Sequence, residues 1–443
     1  MKRTLMHPTR IVPLAFLMAI VVGTLLLSLP AATPGPNRPP VLTAAFTSVS
    51  AVCVTGLTTV DTATYWSPFG QVVVLSLIQV GGFGIMTLAT LLGLLVSGRL
   101  RLSSSLIAQA ETHTMNIGEV RHVVRRVAIT MLSFEAVFAL ILAGRFRANY
   151  DDTWGTALWH GLFHSVSAFN NAGFALYSDN LIGFVSDAWI AFPICVAIIV
   201  GGLGFPVLFE LRRKWRRPRM WTVHTRLTVY GSVFLLVVGT LAFLALEWTN
   251  QGTLGGLSPW GKVVGGVTGG VVPRTAGFNS VDYGAITPET MAVNYLLMFI
   301  GGGSAGTAGG IKVTTFFLLA FAIFAEIRGE RDTTVAHRSV SHSTIRQALT
   351  VVLLAIAAIA TGTMVILMAT DYALDVVLFE SISAFATVGL STGITPDLPP
   401  VAEVTLMVLM YVGRVGTITV ASALAFRRGH RHYQLPEERP VVG

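Results

Sequence analysis

The stretch "FTSVSAVCVTGL", residues 46–57, is one of four segments that align without gaps in this chain of 443 residues. The others are "FHSVSAFNNAGF" at 163–174, "VTGGVVPRTAGF" at 267–278 and "FESISAFATVGL" at 379–390. Three of the four begin with Phe-x-Ser-(Val/Ile)-Ser-Ala, and the third copy keeps only the ending. Each has a glycine ten places after its first residue, namely Gly56, Gly173, Gly277 and Gly389. One register in four copies predicts four structural repeats.

Each aligned segment lies between two apolar runs. The runs before the segments are Ile11–Leu29, Val123–Leu142, Leu227–Leu246 and Val351–Met368. The runs after them are Val72–Leu95, Trp189–Leu208, Met291–Phe324 and Val404–Ala425. A helix needs about 20 apolar residues to cross a bilayer. The aligned segments are shorter and richer in Ser and Thr, which favours half-membrane re-entrant segments buried in protein or lining water.

Composition and charge agree with a membrane protein. The chain is 53% hydrophobic and 12% charged, whereas soluble proteins carry about 25% charged residues. Basic residues cluster at 99–126, 212–219, 328–346 and 427–431, with a fifth cluster at 2–10. The positive-inside rule predicts that all these clusters, and both termini, are cytoplasmic. Because the clusters are short and adjoin apolar runs, we expect no nucleic-acid partner.

The N-terminal segment admits two interpretations. "MKRTLMHPTR" followed by "IVPLAFLMAIVVGTLLLSLPAA" is compatible with a cleaved signal peptide. Its apolar part is longer than a usual signal core of roughly 7–15 residues, and the first repeat needs its first helix. We therefore expect a retained first helix.

The whole pattern predicts an all-α integral membrane protein with four helix–pore loop–helix (M1–pore loop–M2) repeats around a pseudo-fourfold pore, similar to a K⁺ channel. The expected repeats are residues 1–100, 101–215, 216–330 and 331–427, followed by a cytoplasmic tail at 428–443. An intramembrane gate loop is expected within the third repeat, at residues 301–312.

The conserved register of the glycines predicts an ion filter. "TVGLSTG", Thr387–Gly393, resembles the TVGYG loop whose carbonyls replace the water around a potassium ion. Glycine adopts the positive φ needed to turn carbonyls inward. The expected filter residues are Val54, Thr55, Gly56, Asn171, Ala172, Gly173, Thr275, Ala276, Gly277, Thr387, Val388 and Gly389. We expect K⁺ at the carbonyls of Thr55, Asn171, Thr275 and Thr387. One glycine per loop predicts fewer stacked ion sites than in TVGYG.

The second helices carry a shared motif. "VGGFG" at 80–84, "VGGLG" at 200–204 and "VGRVG" at 412–416 contain small residues that let helices approach closely. In the third repeat, "IGGGSAGTAGGIK" is too rich in glycine for a straight helix. A broken helix inside the membrane is expected to line a cavity.

Arg414 stands where the first two repeats have Gly82 and Gly202. A charge near mid-membrane costs roughly 2.5–3.5 kcal/mol, so we expect Arg414 to face the pore or a partner. Snorkelling to the cytoplasmic face is the alternative for Arg414, and is the stronger expectation for Lys312.

The chain resembles the membrane subunits of bacterial Ktr potassium uptake systems, the KtrB family of the Trk/Ktr/HKT superfamily. The resemblance covers essentially the whole chain and is strongest at 51–71, 167–174, 273–279 and 301–315. It implies selective K⁺ uptake across the bacterial plasma membrane through a pore that an intramembrane gate loop, residues 301–312, obstructs beneath the filter. A mere kink is the alternative for this segment. The resemblance also implies that Arg414 either holds the gate loop through its carbonyls or acts as an electrostatic barrier. The implied gate residues are Gly301, Gly302, Gly303, Ser304, Ala305, Gly306, Thr307, Ala308, Gly309, Gly310, Lys312 and Arg414.

The resemblance further implies a homodimer with one pore per protomer and a cytosolic, KtrA-like ring that binds ATP or ADP. Na⁺ dependence is left open, and no organic cofactor is expected.

Other patterns are weaker. The G-x-G-x-x-G match at Gly301, Gly303 and Gly306 lies inside a membrane segment rather than after a strand, and "HGLFH" at 160–164 lacks the glutamate of a zinc motif. We find no nucleophile with a matching base and expect no enzyme. The alternative hypothesis is a secondary transporter with broken helices that couples K⁺ to Na⁺ or H⁺. A membrane scaffold without transport explains none of the filter pattern.

Overall fold

The computed structural model describes residues 8–35, 38–102, 117–330, 332–336 and 338–416. Repeat 1 contains α1 (Pro8–Leu27), α2 (Val41–Cys53), α3 (Thr62–Tyr65) and α4 (Pro68–Leu102). Repeat 2 contains α5 (Ile117–Asn149), α6 (Trp154–Phe169), α7 (Ala188–Leu203) and α8 (Phe205–Lys214). Repeat 3 contains α9 (Val223–Glu247), α10 (Pro259–Val271), α11 (Pro288–Phe299) and α12 (Val313–Ile327). Repeat 4 contains α13 (His342–Ala369), α14 (Leu374–Phe385) and α15 (Pro400–Tyr411).

The architecture is mostly helical, as the repeat pattern predicts. A two-residue hairpin, β1 (Thr334–Val335) and β2 (Arg338–Ser339), connects α12 to α13. The helix ends lie close to the expected limits of the repeats, and the division into four units stays a proposal. The expected tail and the basic residues at 2–3 and 427–431 lie outside the described residues.

Four helices of the described chain are long and apolar enough to cross a membrane: Pro68–Thr90, Arg121–Asn149, Val223–Glu247 and His342–Ala369. The bent pair α7 and α8 adds a fifth candidate span. Their lipid-compatible surface is apolar, with exposed side chains such as Leu140, Leu241 and Met368. The chain is a multi-pass membrane protein.

The four pore helices, α2, α6, α10 and α14, form the buried centre. Their sequences hold small and hydroxyl residues that are fully enclosed, such as Ser48, Ser165 and Ser381. The second and third begin at side-chain N-caps, Thr153 and Ser258, which satisfy amides that the helix leaves free. Each pore helix ends just before its filter residues.

Second helices pack on pore helices through one glycine at a fixed register. A Cβ on Gly81, Gly201 or Gly413 would stand 2.0, 1.9 or 1.7 Å from the carbonyl oxygen of Val52, Phe169 or Phe385, respectively. These carbonyls belong to the seventh residue of the first, second and fourth aligned segments. Glycine is therefore required there because backbone meets backbone.

The second helices of repeats 2 and 3 are broken within the described chain, whereas the sequence pattern singled out only the third. The run expected as one span at Trp189–Leu208 bends by 100° between α7 and α8. Gly204 makes the bend with φ 90° and ψ 145°, a conformation open to glycine. In repeat 4, a π turn at Val412–Gly416 follows α15 and contains Arg414.

Candidate ion filter and gate

The four filter loops have the same backbone pattern. Residues nine and eleven of each aligned segment have positive φ: Val54 and Gly56, Asn171 and Gly173, Thr275 and Gly277, Thr387 and Gly389, with values from 49° to 95°. The residue between them does not. Positive φ costs a non-glycine residue about 1–3 kcal/mol and persists only where the surroundings impose it. The same backbone conformation therefore recurs at the same two places in all four loops.

The four loops form a closed ring in chain order. A Cβ on Gly56 would stand 2.3 Å from the Ala172 carbonyl oxygen, and one on Gly173 would stand 2.8 Å from that of Ala276. The corresponding distances are 2.3 Å from Gly277 to Val388 and 2.0 Å from Gly389 to Thr55. The Gly277 Cβ would also lie 3.2 Å from the Thr55 oxygen of the opposite loop. A side chain at these glycines would therefore project into a narrow central opening.

This ring refines the expected K⁺ ligands. The carbonyls that share one register are those of Thr55, Ala172, Ala276 and Val388. The expected set took Thr55 from this register but Asn171, Thr275 and Thr387 from the residue before it. The Oγ1 atoms of Thr55, Thr275 and Thr387 are buried and have no hydrogen-bond partner among the described residues. They are additional oxygens suited to a dehydrated cation.

Serines of the pore helices brace the filter. The amides of Thr55, Ala172 and Val388 donate to the carbonyls of Ser50, Ser167 and Ser383, respectively, over 2.7–2.8 Å. The Ser50 and Ser383 hydroxyls also accept from the amides of Gly56 and Gly389, both at 3.1 Å. In the degenerate third copy, the Ala276 amide donates to Val272 instead. The shared Ser-x-Ser-Ala sequence thus holds the filter backbone in position.

Backbone hydrogen bonds join the two ends of the gate loop, residues 301–312. The Gly301 amide donates to Ile311 over 2.9 Å, and the Val313 amide donates to Gly302 over 3.0 Å. Gly309 of the loop lies against the fourth filter loop, because a Cβ there would stand 1.9 Å from Thr387 Oγ1. The loop therefore fills the space directly beneath the filter.

Thr307 is the centre of the loop's contacts. Its amide donates to the Gly201 carbonyl over 3.1 Å, and its hydroxyl donates to Asn171 Oδ1 over 2.9 Å. Gly303 donates to the Gly202 carbonyl over 2.8 Å. The break at Gly204 leaves the last carbonyls of α7 without helical partners, so they are free to accept from the loop.

Arg414 is 2% exposed and donates from Nη1 to the Thr307 carbonyl. It holds the loop and does not snorkel. Lys312 is half-buried, and its Nζ donates to the Ala308 carbonyl over 2.6 Å and to that of Gly309 over 3.4 Å. Arg414 therefore binds the gate loop from outside, whereas Lys312 binds carbonyls of the loop to which it belongs.

Sequence reasoning missed a polar cluster behind the second filter loop. Glu135 of α5 is 3% exposed and accepts from Gln79 Nε2 at 2.9 Å and from Asn170 Nδ2 at 3.1 Å. Asn170 directly precedes the filter residue Asn171. A lone glutamate in the run Val123–Leu142 was the available signal, since ionisable residues within spans are functional by default.

The outer end of repeat 2 holds the two histidines of "HGLFH". His160 contacts Asp151 and the Tyr177 hydroxyl through Nδ1, at 3.1 and 3.0 Å. Burial and the Asp151 carboxylate raise the pKa of Tyr177. His164 accepts from the Leu176 amide at 3.3 Å. These contacts link the pore helix α6 to Asp151, Tyr177 and Leu176. Among the described residues no group of three metal-ligating side chains occurs.

The sequence as a whole matches one family model, described as TrkH, cation transport protein, across residues 2–428. The chain belongs to the TrkH family of cation transport proteins. It is 37% identical over 418 residues to the Ktr system potassium uptake protein B of Bacillus subtilis, covering 94% of this chain and 93% of that one. It is 36% identical to the Ktr system potassium uptake protein B of Vibrio alginolyticus, covering 98% and 94%. These findings confirm the resemblance to the Ktr membrane subunits.

Two further comparisons extend the family. The potassium/sodium uptake protein NtpJ of Enterococcus hirae is 31% identical, with 100% of this chain and 98% of that protein covered. The crystal structure of the potassium transporter TrkH from Vibrio parahaemolyticus superposes with a TM-score of 0.68 at 20% identity, covering 93% and 86%. The TrkH fold of this chain is therefore established. The named relatives are uptake proteins rather than enzymes.

Proposed function

We propose that this TrkH family member takes up K⁺ through a selective pore that the gate loop obstructs. The observation that carries the proposal is the closed ring of Thr55, Ala172, Ala276 and Val388 carbonyls above that loop. Four backbone oxygens replace part of the water that K⁺ must shed. The relatives' names, which specify potassium uptake, support the same conclusion.

Transport is passive in this proposal. An inside-negative membrane potential contributes about 2.3 kcal/mol per charge per 100 mV, which drives K⁺ inward. The buried Arg414 and the half-buried Lys312, together with the closed loop, oppose passage until the loop moves. We propose that a homodimer and a cytosolic nucleotide-binding ring complete the system, as the resemblance to Ktr membrane subunits implies.

The test is K⁺ uptake in a bacterium that lacks its own K⁺ transporters, at limiting external K⁺. The native chain, co-expressed with a nucleotide-binding regulatory subunit, should restore growth. Gly277→Ser and Gly389→Ser should lower uptake roughly tenfold or more, since each new side chain enters the ring and shifts the barrier by at least about 1.4 kcal/mol. The matched control is Gly144→Ser on α5, where an added Cβ meets nothing within 4 Å.

Unchanged uptake and unchanged K⁺/Na⁺ discrimination in both serine variants, at equal expression, would contradict the filter. The broken helices beneath the filter favour the secondary transporter as the second candidate. That candidate predicts that K⁺ uptake into vesicles stops when the Na⁺ and H⁺ gradients are collapsed at constant voltage. The pore predicts uptake that follows the K⁺ gradient and voltage alone.

A further inference from the structure

Arg274 connects the third filter loop to the gate loop. It directly precedes the filter residue Thr275 and is 7% exposed. Its Nη2 donates to the Gly301 carbonyl over 3.0 Å, and its Nη1 donates to the Ser232 carbonyl of α9 over 3.1 Å. One side chain therefore joins the filter, a membrane helix and the first residue of the gate loop.

This connection replaces the glycine packing of the other repeats. In repeats 1, 2 and 4, a glycine of the second helix touches the carbonyl of the seventh residue of the aligned segment. In repeat 3 that seventh residue is Pro273. In repeat 3, the hydrogen bond from Arg274 to the Gly301 carbonyl takes the place of that packing and joins the base of the gate loop to the segment that follows the pore helix. A single hydrogen bond breaks and re-forms as the loop moves, whereas tightly packed backbones do not slide freely.

The buried charge of Arg274 is stabilised by the carbonyls of Gly301 and Ser232, to which it donates. Within the ranges that the structure describes, no carboxylate lies within 4.0 Å of it, and its Nε has no partner. A buried cation without carbonyls to accept from it is costly. A cavity of about 20 Å³ is lined by Arg274, by Gly302 of the gate loop and by residues of α7 and α9 such as Gly202 and Ser232.

We propose that Arg274 is a positioning residue that couples the gate loop to the filter at Thr275. While the loop is closed, the Gly301 carbonyl holds the guanidinium and thereby the backbone of Thr275, which has a φ of 70°. Displacement of Gly301 removes that support. Because coupling between two sites is reciprocal, loop position changes the K⁺ affinity of the filter, and K⁺ in the filter changes loop position. This inference rests on the proposed function as a gated K⁺ pore.

The experiment is a thermodynamic cycle on the full chain in proteoliposomes, with K⁺ flux measured against K⁺ concentration. Four proteins are compared: the native chain, Arg274→Gln, a chain whose gate loop lacks residues 304–306, and the combination. In the native background, loop shortening should change the half-saturating K⁺ concentration about fivefold or more, as typical coupling energies imply. In the Arg274→Gln background, the same shortening should change it less than twofold.

An equal shift in both backgrounds, or no shift in either, overturns the coupling. Absence of K⁺ flux from both the native and the shortened chain would instead refute the proposed function. The matched control is Arg226→Gln on the same helix as Ser232, because the Arg226 side chain donates to the Arg219 carbonyl and contacts neither loop. If Arg274→Gln does not fold, Arg274→Lys takes its place. Its single ammonium should at least halve the shift, and a native-sized shift in that variant overturns the proposal.

Discussion

Two buried cations, Arg274 and Arg414, contact the gate loop, and the half-buried Lys312 lies within it; backbone carbonyls accept from all three. Arg274 binds Gly301, Lys312 binds Ala308 and Gly309, and Arg414 binds Thr307. A carbonyl that accepts from a fixed cation offers less to a passing K⁺ ion. The same contacts therefore anchor the loop and place positive charge beneath the filter, which suits a closed pore.

Arg414→Gln should open the pore. The shorter, neutral amide loses the charge-assisted bond to the Thr307 carbonyl, which is worth about 1.5–3 kcal/mol. We expect K⁺ flux in proteoliposomes without the regulatory ring to rise roughly tenfold or more. Arg414→Lys keeps the charge and separates the two roles: if it behaves as the native chain does, charge matters more than guanidinium geometry. Native flux in a folded Arg414→Gln variant would rule out Arg414 as a restraint on the loop.

Helix breaks determine what the gate loop can bind. The end of α7 offers the carbonyls of Gly201 and Gly202 to the loop because the chain turns at Gly204. An unbroken helix would use those carbonyls internally. The π turn at 412–416 similarly brings Arg414 inward against the loop. Two helices from different repeats thus shape one loop of the third.

Gly204→Ala should destabilise the protein and displace the loop. Alanine at φ 90° and ψ 145° is strained by about 1–3 kcal/mol, and its Cβ would stand 2.4 Å from the Ser304 carbonyl oxygen. We expect a lower Tm of the purified protein in detergent and a higher basal K⁺ flux. Gly144→Ala on α5 is the control and should leave both values unchanged. Equal Tm and flux for the two variants would show that the bend tolerates a side chain.

Exposed basic residues lie on several connections of the described chain, and one of these joins repeats 3 and 4. Arg328, Arg338 and Arg346 are exposed there, around the small hairpin of β1 and β2. The positive-inside rule predicts that this connection is cytoplasmic. We propose it as a docking surface for a cytosolic partner with an acidic face.

Charge reversal at Arg328, Arg338 and Arg346 tests that surface. The triple change to glutamate should reduce co-purification of a nucleotide-binding ring at least about tenfold, because like charges then face each other. It should leave the K⁺ flux of the chain alone unchanged, since none of the three contacts the filter or the gate loop. The triple lysine variant is the control and should retain the ring. Retention of the ring by the glutamate variant would exclude this connection as the docking site.

The sequence by itself determined the repeats, the re-entrant segments and the register of the filter glycines. These features are local: apolar length decides which segments cross a bilayer, and positive φ demands glycine at fixed places. The break at Gly204 was not predicted from the sequence, because "VGGLG" differs little from the "VGGFG" of the straight α4. The Glu135 cluster and the bond from Arg274 to Gly301 were not predicted either, because they join residues far apart in the chain.

Only the tertiary structure decided which carbonyls meet in one ring and which cations hold the gate loop. Sequence placed Thr55 beside Thr275 and Thr387 by residue type, whereas folding aligned it with Ala172, Ala276 and Val388. A carbonyl is identical in every residue, so its role depends on backbone direction rather than on the side chain. Likewise, the sequence alone allowed Lys312 and Arg414 to extend toward the cytoplasmic surface. In the structure, both side chains donate to carbonyls of the gate loop.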